Sequence, residues 1–573
     1  MISNTKYFAE YRYKKPRIKI KRQIFIFLPV FFLFFVSCGA KAPVILSVDP
    51  KFGRMGEIIT LTGDNFGASR DESYVTIAGI SPTSSSYYLW QDNLIILKVP
   101  ELGESGLVYV RVKGKKSNGV LFSNSASVPR PVDGEELGLE PKITSVTPQT
   151  GAPGTLITIT GNNFGISREN SPDSGAGVFF SWDYESGAYN PFAVREPEFV
   201  EASETEMGYE YWSAREIRVR LPDGAVSGNF EIRTPHGKSR SVFFDVNGKP
   251  GVKTIKNKRS YTITYSVDIR VIEASRPNTL YLWIPKPVIS PSQRNVILVS
   301  RNIEPFMESH KGVSLYKLDS LGTGTNQSVN LSYRVEVYAV ESGIKPLSIK
   351  QEATTLFRTH TQSTNLIPAD NQKIRLTVNS IVGREQNPYL KAKAIYEWII
   401  NYMQISDSAF YADLADALEK RQCDSYAAAL LYTAMSRAAG VPCIPVAGVL
   451  INQNGQTFRH YWAEFWINGF GWLPVDPAMG AGAIQLTDGA NSRFDNETMT
   501  ARDLANFYFG SLDNQRITFS RGEPVLMQIE SRGRLVSRQQ SYSLQNVWEE
   551  SVGGLESYSS LWGDIIISGI YIQ

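Results

Sequence analysis

Alternation of apolar and polar residues dominates the chain before residue 375, and alternation of that kind predicts strands. It is clearest at Tyr261 to Val271 and at Val329 to Val340, with Leu280 to Ile284 between them. Shorter β-branched runs at Ile58 to Thr62, Leu94 to Val99, Leu107 to Val112, Leu156 to Thr160, Glu216 to Leu221 and Gly228 to Thr234 add further strands. From Pro388 the apolar spacing becomes helical. Pro388 to Ile405 opens with proline near its first turn and carries Ile395, Trp398, Ile399 and Tyr402 on one face. A second helix follows in an alanine- and leucine-rich run that stops at Gly440 and Pro442, with Cys423 expected in its first turn. Alternation then returns. Tyr461, Ala463, Phe465 and Ile467 form one strand face, predicted to be core, and His460, Trp462, Glu464 and Trp466 form the other, predicted to be working surface. Asn468-Gly469 turns the chain into a strand from Gly471 to Val475, closed by Asp476 and Pro477. The tail to Gln573 predicts more strands, with Trp548 and Trp562 in a core.

Two stretches repeat at an offset of 98 residues: Ser47-Val-Asp-Pro50 matches Ser145-Val-Thr-Pro148, and Thr62-Gly-Asp-Asn-Phe-Gly67 matches Thr160-Gly-Asn-Asn-Phe-Gly165. Each copy predicts a small β-sandwich. The turns lack the lysine of a phosphate loop and the alternating acidic ligands of a calcium loop, so backbone geometry explains them better. The second copy carries a long stretch, Asn170 to Tyr211, rich in Tyr, Trp, Glu and Ser, which reads as a contact surface or a hairpin. The repeated motifs resemble IPT/TIG immunoglobulin-like domains over Ala42 to Ser127 and Glu140 to Val246. The resemblance implies spacers or binding modules.

The chemistry gathers between Arg421 and Pro477. A cysteine at a helix N-terminus lies near unpaired N–H groups that favour a thiolate and can hold an oxyanion. The ordinary alternative for each residue alone is structural: a small buried hydrophobe for Cys423, a strand histidine for His460. A loop of Asn468, Gly469 and Phe470 sets Asp476 opposite Trp462, one pair diagonal from His460, so the carboxylate could fix the imidazole tautomer while the other ring nitrogen faces the thiol. A disulfide between Cys423 and Cys443 is excluded by geometry, because a helix of about 16 rises separates them by ~24 Å. Cys443 instead predicts a buried thiol starting the next strand.

Cys423-Asp-Ser-Tyr-Ala, Arg437-Ala-Ala-Gly-Val-Pro, His460-x-Trp-x-Glu and Gly471-Trp-x-Pro-x-Asp-Pro resemble the transglutaminase-like superfamily across roughly Pro388 to Gly522. What this implies is a papain-like cysteine fold, with Cys423 as nucleophile, His460 as base and Asp476 as orienter. Separately, no cofactor or metal is expected, since His310 and His360 lack cysteine or carboxylate partners at ligand spacing. The chain departs from the family at Arg421, where many members carry glycine, and at Tyr461, where many carry alanine. Leu282-Trp-Ile-Pro-Lys-Pro resembles a β-domain that often precedes such domains in bacteria.

Charge changes the picture at the N-terminus. The net charge is +3, but eight basic residues precede Cys38 against Glu10 alone, and the remainder holds 51 basic and 55 acidic side chains, a net of −4. No nucleic-acid footprint is left. Ile24 to Val36 is a 13-residue apolar run, short of a membrane span and of signal-peptide length. Phe35-Val-Ser-Cys38-Gly resembles a lipobox, with Phe35 in place of the usual leucine, which implies lipidation of Cys38.

The expected architecture is therefore multidomain: a signal peptide (1–37), tandem immunoglobulin-like β-sandwiches (42–127 and 140–246), a further β-rich domain (252–375), an α+β transglutaminase-like domain (388–522) and a C-terminal β extension (523–573). The expected function is an exported, lipid-anchored cysteine enzyme acting on peptide or side-chain amides of a peptide or protein substrate in the bacterial cell envelope, with hydrolysis favoured over cross-linking. The competing class is a non-catalytic adhesion or envelope-binding lipoprotein whose sandwiches bind an envelope or host surface partner.

Overall fold

The computed structural model describes residues 41–53, 55–100, 106–124, 140–165, 176–184, 198–202, 208–349, 355–406, 413–484, 492–493 and 497–572. The leader and Cys38 lie outside the described residues. The chain is multidomain and strongly β-rich, with immunoglobulin-like domains ahead of an α+β domain.

In the first sandwich one sheet runs in the order Val44–Asp49, Ile58–Asp64, Leu94–Lys98, Tyr87–Trp90, and the other holds Phe52–Gly53, Val120–Asn124, Gly106–Val112 and Tyr74–Ile77. Both contribute to one core that includes Ile59, Leu61, Val75, Val108 and Phe122. The duplication reaches register level. The shift between Ile45 and Ser47 recurs between Ile143 and Ser145, and Val48 opposite Leu61 recurs as Val146 opposite Ile159. A Cβ on Gly63 or Gly161 would collide with the carbonyl of Val44 or Lys142, and Asn65 and Asn163 follow at φ 62° and 64°, so close approach and a left-handed residue account for the repeated turn.

Repetition persists where the sequences diverge. Trp90 and Trp212 each donate an indole N–H to the carbonyl of the turn phenylalanine, Phe66 and Phe164, at 2.9 Å. The hydroxyls of Tyr87 and Tyr209 accept from Val75 N and Val178 N at 2.9 Å. The aromatic stretch 170–211 is thus no appended loop in its described parts: Gly177–Trp182, Glu198–Glu201 and Tyr209–Trp212 are sheet strands, with Phe180, Trp182 and Val200 in the core.

The third β-domain is built on one 35-residue strand, Gly251–Pro285, which joins the two strands expected there. One of its edges pairs with Asn326–Ile344 and then Val313–Asp319. The other pairs with Ile566–Ile572 and then Glu549–Trp562. The C-terminal residues are therefore not a separate extension. They fill the second edge of the sheet, which would otherwise expose unpaired backbone groups, and they bring Trp548 and Trp562 into its core with ring centroids 4.8 Å apart.

The α+β domain has a four-stranded sheet in the order Gly471–Val475, Thr457–Ile467, Cys443–Ile451, Arg516–Arg521. Against it lies Ser425–Ala438, a helix buried at every residue except Tyr426 and Ala438; its many alanines let it sit between a sheet and other helices. Pro388–Tyr402 is capped by Asn387, whose side chain accepts from Tyr389 N and Leu390 N, and it ends three residues earlier than expected because Gln404–Ile405 pairs with Gln422–Cys423. Gln372–Val382 packs Ile374 and Val378 into the same core, so the helical layer begins before residue 388. The predicted working face of the His460 strand is also corrected: both faces are covered. Ala463, Phe465 and Ile467 meet the helices, while Trp462 packs with Val340, Val446 and Leu512 of the other side.

A buried ion pair joins three domains. Lys253 Nζ lies 2.6 and 2.9 Å from the Asp223 carboxylate oxygens and donates to Trp472 O at 2.8 Å, while Trp472 N donates to Asp223 Oδ2 at 3.0 Å. Their side chains are 7% and 1% exposed, too dry for either charge to stand alone. Asp223→Ala or Lys253→Met is expected to cost about 3–5 kcal/mol in urea unfolding, and the double replacement Asp223→Leu with Lys253→Met less than either. Single variants as stable as the parent would show that the pair carries no such load.

Candidate active site

Cys423 lies two residues before the helix rather than in its first turn. It pairs with Ile405 in a short parallel ladder, and Ser406 N donates to its carbonyl at 2.9 Å. Asp424 is the N-cap, and its Oδ1 accepts from Ala427 N at 2.8 Å, which takes up one of the N–H groups expected to serve an oxyanion. Cys423 is fully buried, within the same apolar cluster as Ala427, Ala463 and Val475. Burial, and then the Asp424 charge, pushes its thiol up to about 12. This overturns the expected depressed value: the helix terminus is spent on Asp424, and desolvation decides the balance. Arg421, just upstream, is held at φ 53° and ψ 37° at the end of Leu414–Lys420, a left-handed conformation costing a side chain about 1–2 kcal/mol and natural to glycine.

His460 and Asp476 are brought together as the register argument required. Ile467 pairs with Gly471 across a loop of Asn468 to Phe470, and Ala463 with Val475, so the next position sets Asp476 opposite Trp462. His460 Nε2 and Asp476 Oδ2 are 2.7 Å apart, both side chains fully buried. Because the carboxylate only accepts, Nε2 carries the proton and Nδ1 is left with its lone pair. Nδ1 has no hydrogen-bond partner, so the thiol of Cys423 is not bonded to it. The helix that follows Cys423 does reach the His460 strand, with the Tyr426 and Tyr461 rings 5.0 Å apart.

Asp476 has more partners than the sequence suggests. Its Oδ1 accepts from Met479 N at 3.1 Å, capping Pro477–Gly480, and its Oδ2 also accepts from Arg516 Nη1 at 2.9 Å. Arg516 in turn binds Asp513 through Nε at 3.2 Å and through Nη2, and lies 4.9 Å over the Trp462 ring. Tyr508 donates its hydroxyl to Asp513 Oδ2 at 3.1 Å. Burial opposes ionisation of Asp476, but His460 and then Arg516 outweigh it and hold the carboxyl below its ordinary range; Arg516 does the same for Asp513. The one local trace of Arg516 in the sequence is an arginine opening an alternating strand, Arg516-Ile-Thr-Phe-Ser-Arg521, with an aspartate three residues before it. Glu464, the last residue of the His-x-Trp-x-Glu motif, is paired with Arg521 at 2.6 Å across the sheet.

Cys443 begins its strand as expected, buried and free, 3.8 Å from Thr433 Oγ1, and burial pushes it up to about 12 as well. Cys423 is likewise free. His360 packs its ring edge-on against Trp472 at 5.4 Å, a core contact.

Residues 375–477 match the transglutaminase-like superfamily, and residues 43–127 and 141–174 match the IPT/TIG domain. An uncharacterized protein of Haemophilus influenzae is 26% identical over 170 residues, a match spanning 25% of this chain and 44% of that protein. Among solved structures, a candidate cysteine protease of Cytophaga hutchinsonii is similar at 15% identity and TM-score 0.33, over 56% of this chain and 92% of that one. The periplasmic domain of TgpA from Pseudomonas aeruginosa is similar at 15% identity and TM-score 0.23, over 37% and 87%. SGBP-B from a xyloglucan utilization locus of Bacteroides uniformis is similar at 11% identity and TM-score 0.19, over 52% and 99%. The chain thus contains a transglutaminase-like superfamily domain, which spans Cys423, His460 and Asp476, preceded by IPT/TIG domains.

Proposed function

We propose that the chain is a cysteine-nucleophile enzyme that cleaves peptide or side-chain amides, displayed outside the cytoplasm on a lipid anchor at Cys38. The observation that carries this reading is the buried 2.7 Å bond between His460 and Asp476, which leaves Nδ1 unpartnered in a domain of this superfamily. A histidine whose tautomer is fixed on one side and whose lone pair is unpartnered on the other is prepared to take a proton. The thiol proton passes to Nδ1, sulfur attacks the carbonyl carbon, and the amine leaves with that proton as the C–N bond breaks. Water, giving a proton to His460, then attacks the thioester carbon; the C–S bond breaks, the acid leaves, and the proton returns from His460 to sulfur. Hydrolysis is favoured over transfer to an amine because no residue pattern in the chain supplies an amine pocket.

The resting site is closed, which fits a neutral thiol. Gln540 Nε2 donates to Asp424 Oδ2 at 2.5 Å and Tyr461 donates its hydroxyl to Ser541 O at 2.8 Å, so a C-terminal segment leans on the residue beside Cys423. Substrate has to displace part of this cover to reach the sulfur.

Cys423 is expected to alkylate faster than Cys443 at neutral pH, because in this reading His460 acts as base for Cys423 and not for Cys443, and Gln540→Ala should speed it further. Peptide mapping after iodoacetamide treatment checks this; equal rates at the two thiols would remove the assignment. Because burial holds the folded thiol up to about 12 and an unfolded cysteine ionises near 8.5, the stability it contributes is fully present below about 8.5 and is lost as pH rises towards 12.

For turnover of amide substrates, Cys423→Ala and His460→Ala are each expected to abolish most activity, with the double variant little worse than either. Asp476→Ala should leave more activity per folded molecule, yet it also strips Arg516 of a buried partner and is expected to unfold at lower temperature, so Asp476→Asn is the cleaner variant. If the parent cleaves and cross-links nothing while Cys423→Ala alone lowers the unfolding temperature, the thiol is structural and the sandwiches carry the function by adhesion. Mass spectrometry of the mature protein is expected to find a lipidated N-terminal Cys38; a free terminus elsewhere would remove the anchor.

A further inference from the structure

The charges buried around His460 do not balance, and we propose that Arg516 and Asp513 are positioning residues: together they pin Asp476 against His460 and leave the pocket with room for the proton that Cys423 releases. The inference rests on Cys423 being the nucleophile. Two observations on the described residues carry it, one geometric and one electrostatic.

The geometry is a carboxylate fixed at three points. Asp476 Oδ1 is taken by Met479 N at 3.1 Å, and Oδ2 is shared between His460 Nε2 at 2.7 Å and Arg516 Nη1 at 2.9 Å. The guanidinium is itself fixed, by Asp513 along Nε and Nη2 and by the Trp462 face 4.9 Å away. Asp513 is held by Tyr508 Oη and by Gln515 N at 2.9 Å. Rotation of the Asp476 carboxylate would break several of these bonds at once, so the His460 ring is held in one orientation.

The electrostatic observation is a count. Asp476, Asp513 and Arg516 are each at most 1% exposed, and two carboxylates against one guanidinium leave one net negative charge where water does not reach. A proton on His460 brings the group to neutrality. Two further charged groups lie at the margin of this cluster: Arg259, which bears on Tyr261, and Asp424, which bears on the thiol. Tyr508 and Tyr396 are kept neutral by burial, which raises both hydroxyls. Glu464 is paired with Arg521, Arg459 is exposed and faces Asp564 at 3.8 Å, and Asp424, beside the thiol, accepts from Gln540. The surplus negative charge therefore lies beside the ring that would receive the cysteine proton at Nδ1.

The test is the rate of Cys423 alkylation by iodoacetamide across pH, read by peptide mapping on the full chain. Asp513→Asn removes the surplus charge and is expected to slow neutral-pH alkylation about tenfold and narrow the pH range of the reactive form. Arg516→Gln adds to the surplus and should move the alkaline limb the other way, whereas Arg516→Lys should stay within about threefold of the parent. Folded variants that all keep the parent rate and profile, or that all shift in one direction, would overturn the proposal. Should the variants fail to fold, the ring nitrogens of the parent decide. The protein has four histidines, so His460 can be followed by ¹⁵N NMR. A proton on Nε2, joined by a second on Nδ1 at lower pH while the fold persists, supports the proposal; a proton on Nδ1 alone, or a ring that never becomes doubly protonated in the folded state, overturns it. An unreactive Cys423 in the parent, together with absent amide cleavage, instead removes the nucleophile reading and this inference with it.

Discussion

A carboxylate with no exposed surface is the constraint on which the transglutaminase-like domain of this chain depends. Burying Asp476 costs several kcal/mol unless each oxygen is occupied and a counter-charge lies close. The chain meets that demand with groups from three places, His460 on the neighbouring strand, Arg516 on the far edge strand and Met479 N in the turn beyond, while the Asp476 backbone N donates to the Tyr508 carbonyl at 2.9 Å. The sheet, the short helix after Asp476 and the segment around Tyr508 are thereby held in register by one side chain and its backbone. Proper placement of the imidazole follows from the same bonds that make the burial tolerable.

The cysteine stands on the other side of this balance. A thiol pushed up to about 12 is a proton donor at rest, and its neighbour Asp424 adds a charge that opposes ionisation. Under the proposed role of Cys423, activation would lie in where the proton can go rather than in a pre-ionised sulfur. The helix N-terminus, which would ordinarily favour a thiolate, is used to hold Asp424, and Asp424 accepts the cover donated by Gln540. Cover and neutral thiol belong together, because removing Gln540 would admit water and lower the desolvation penalty at the same atom.

Local rules made much of this legible in the sequence. The three-residue loop after Ile467 and the alternation on either side of it predicted that Asp476 would fall opposite Trp462, since side-chain period two leaves few registers that bury the apolar face. The 98-residue repeat predicted two sandwiches of one design, and the structure gives both the same register shift. Long-range pairing was not legible. Arg516 and Asp513 bear on His460 through a strand that looks like any other edge, and the C-terminal strands join Gly251–Pro285 from the far end of the chain. The strand face carrying Trp462 was predicted to be open because polar and aromatic residues alternate there; a second layer, with Val340 and Leu512, covers it. Cys423 fell just short of its helix because Asp424 is the better cap.

The sandwiches, expected as spacers or binding modules, are docked against the third β-domain. Leu89 and Leu94 of the first share an apolar cluster with Tyr281, Trp283 and Leu315 of the third β-domain, and Ser531 donates to Ala68 O at 2.8 Å. Ile255 and Tyr338 of that domain complete the core of the second sandwich, with Tyr338 edge-on to Trp182 at 5.0 Å. Loose spacers would expose this apolar surface to water, at roughly 25 cal/mol per Å². The second sandwich also supplies Asp223 to the pair with Lys253, and that pair grips Trp472 on the strand that ends at Asp476. Anything held by the sandwiches would thus meet a body whose parts share cores with the support of the transglutaminase-like domain, rather than one swung on a tether.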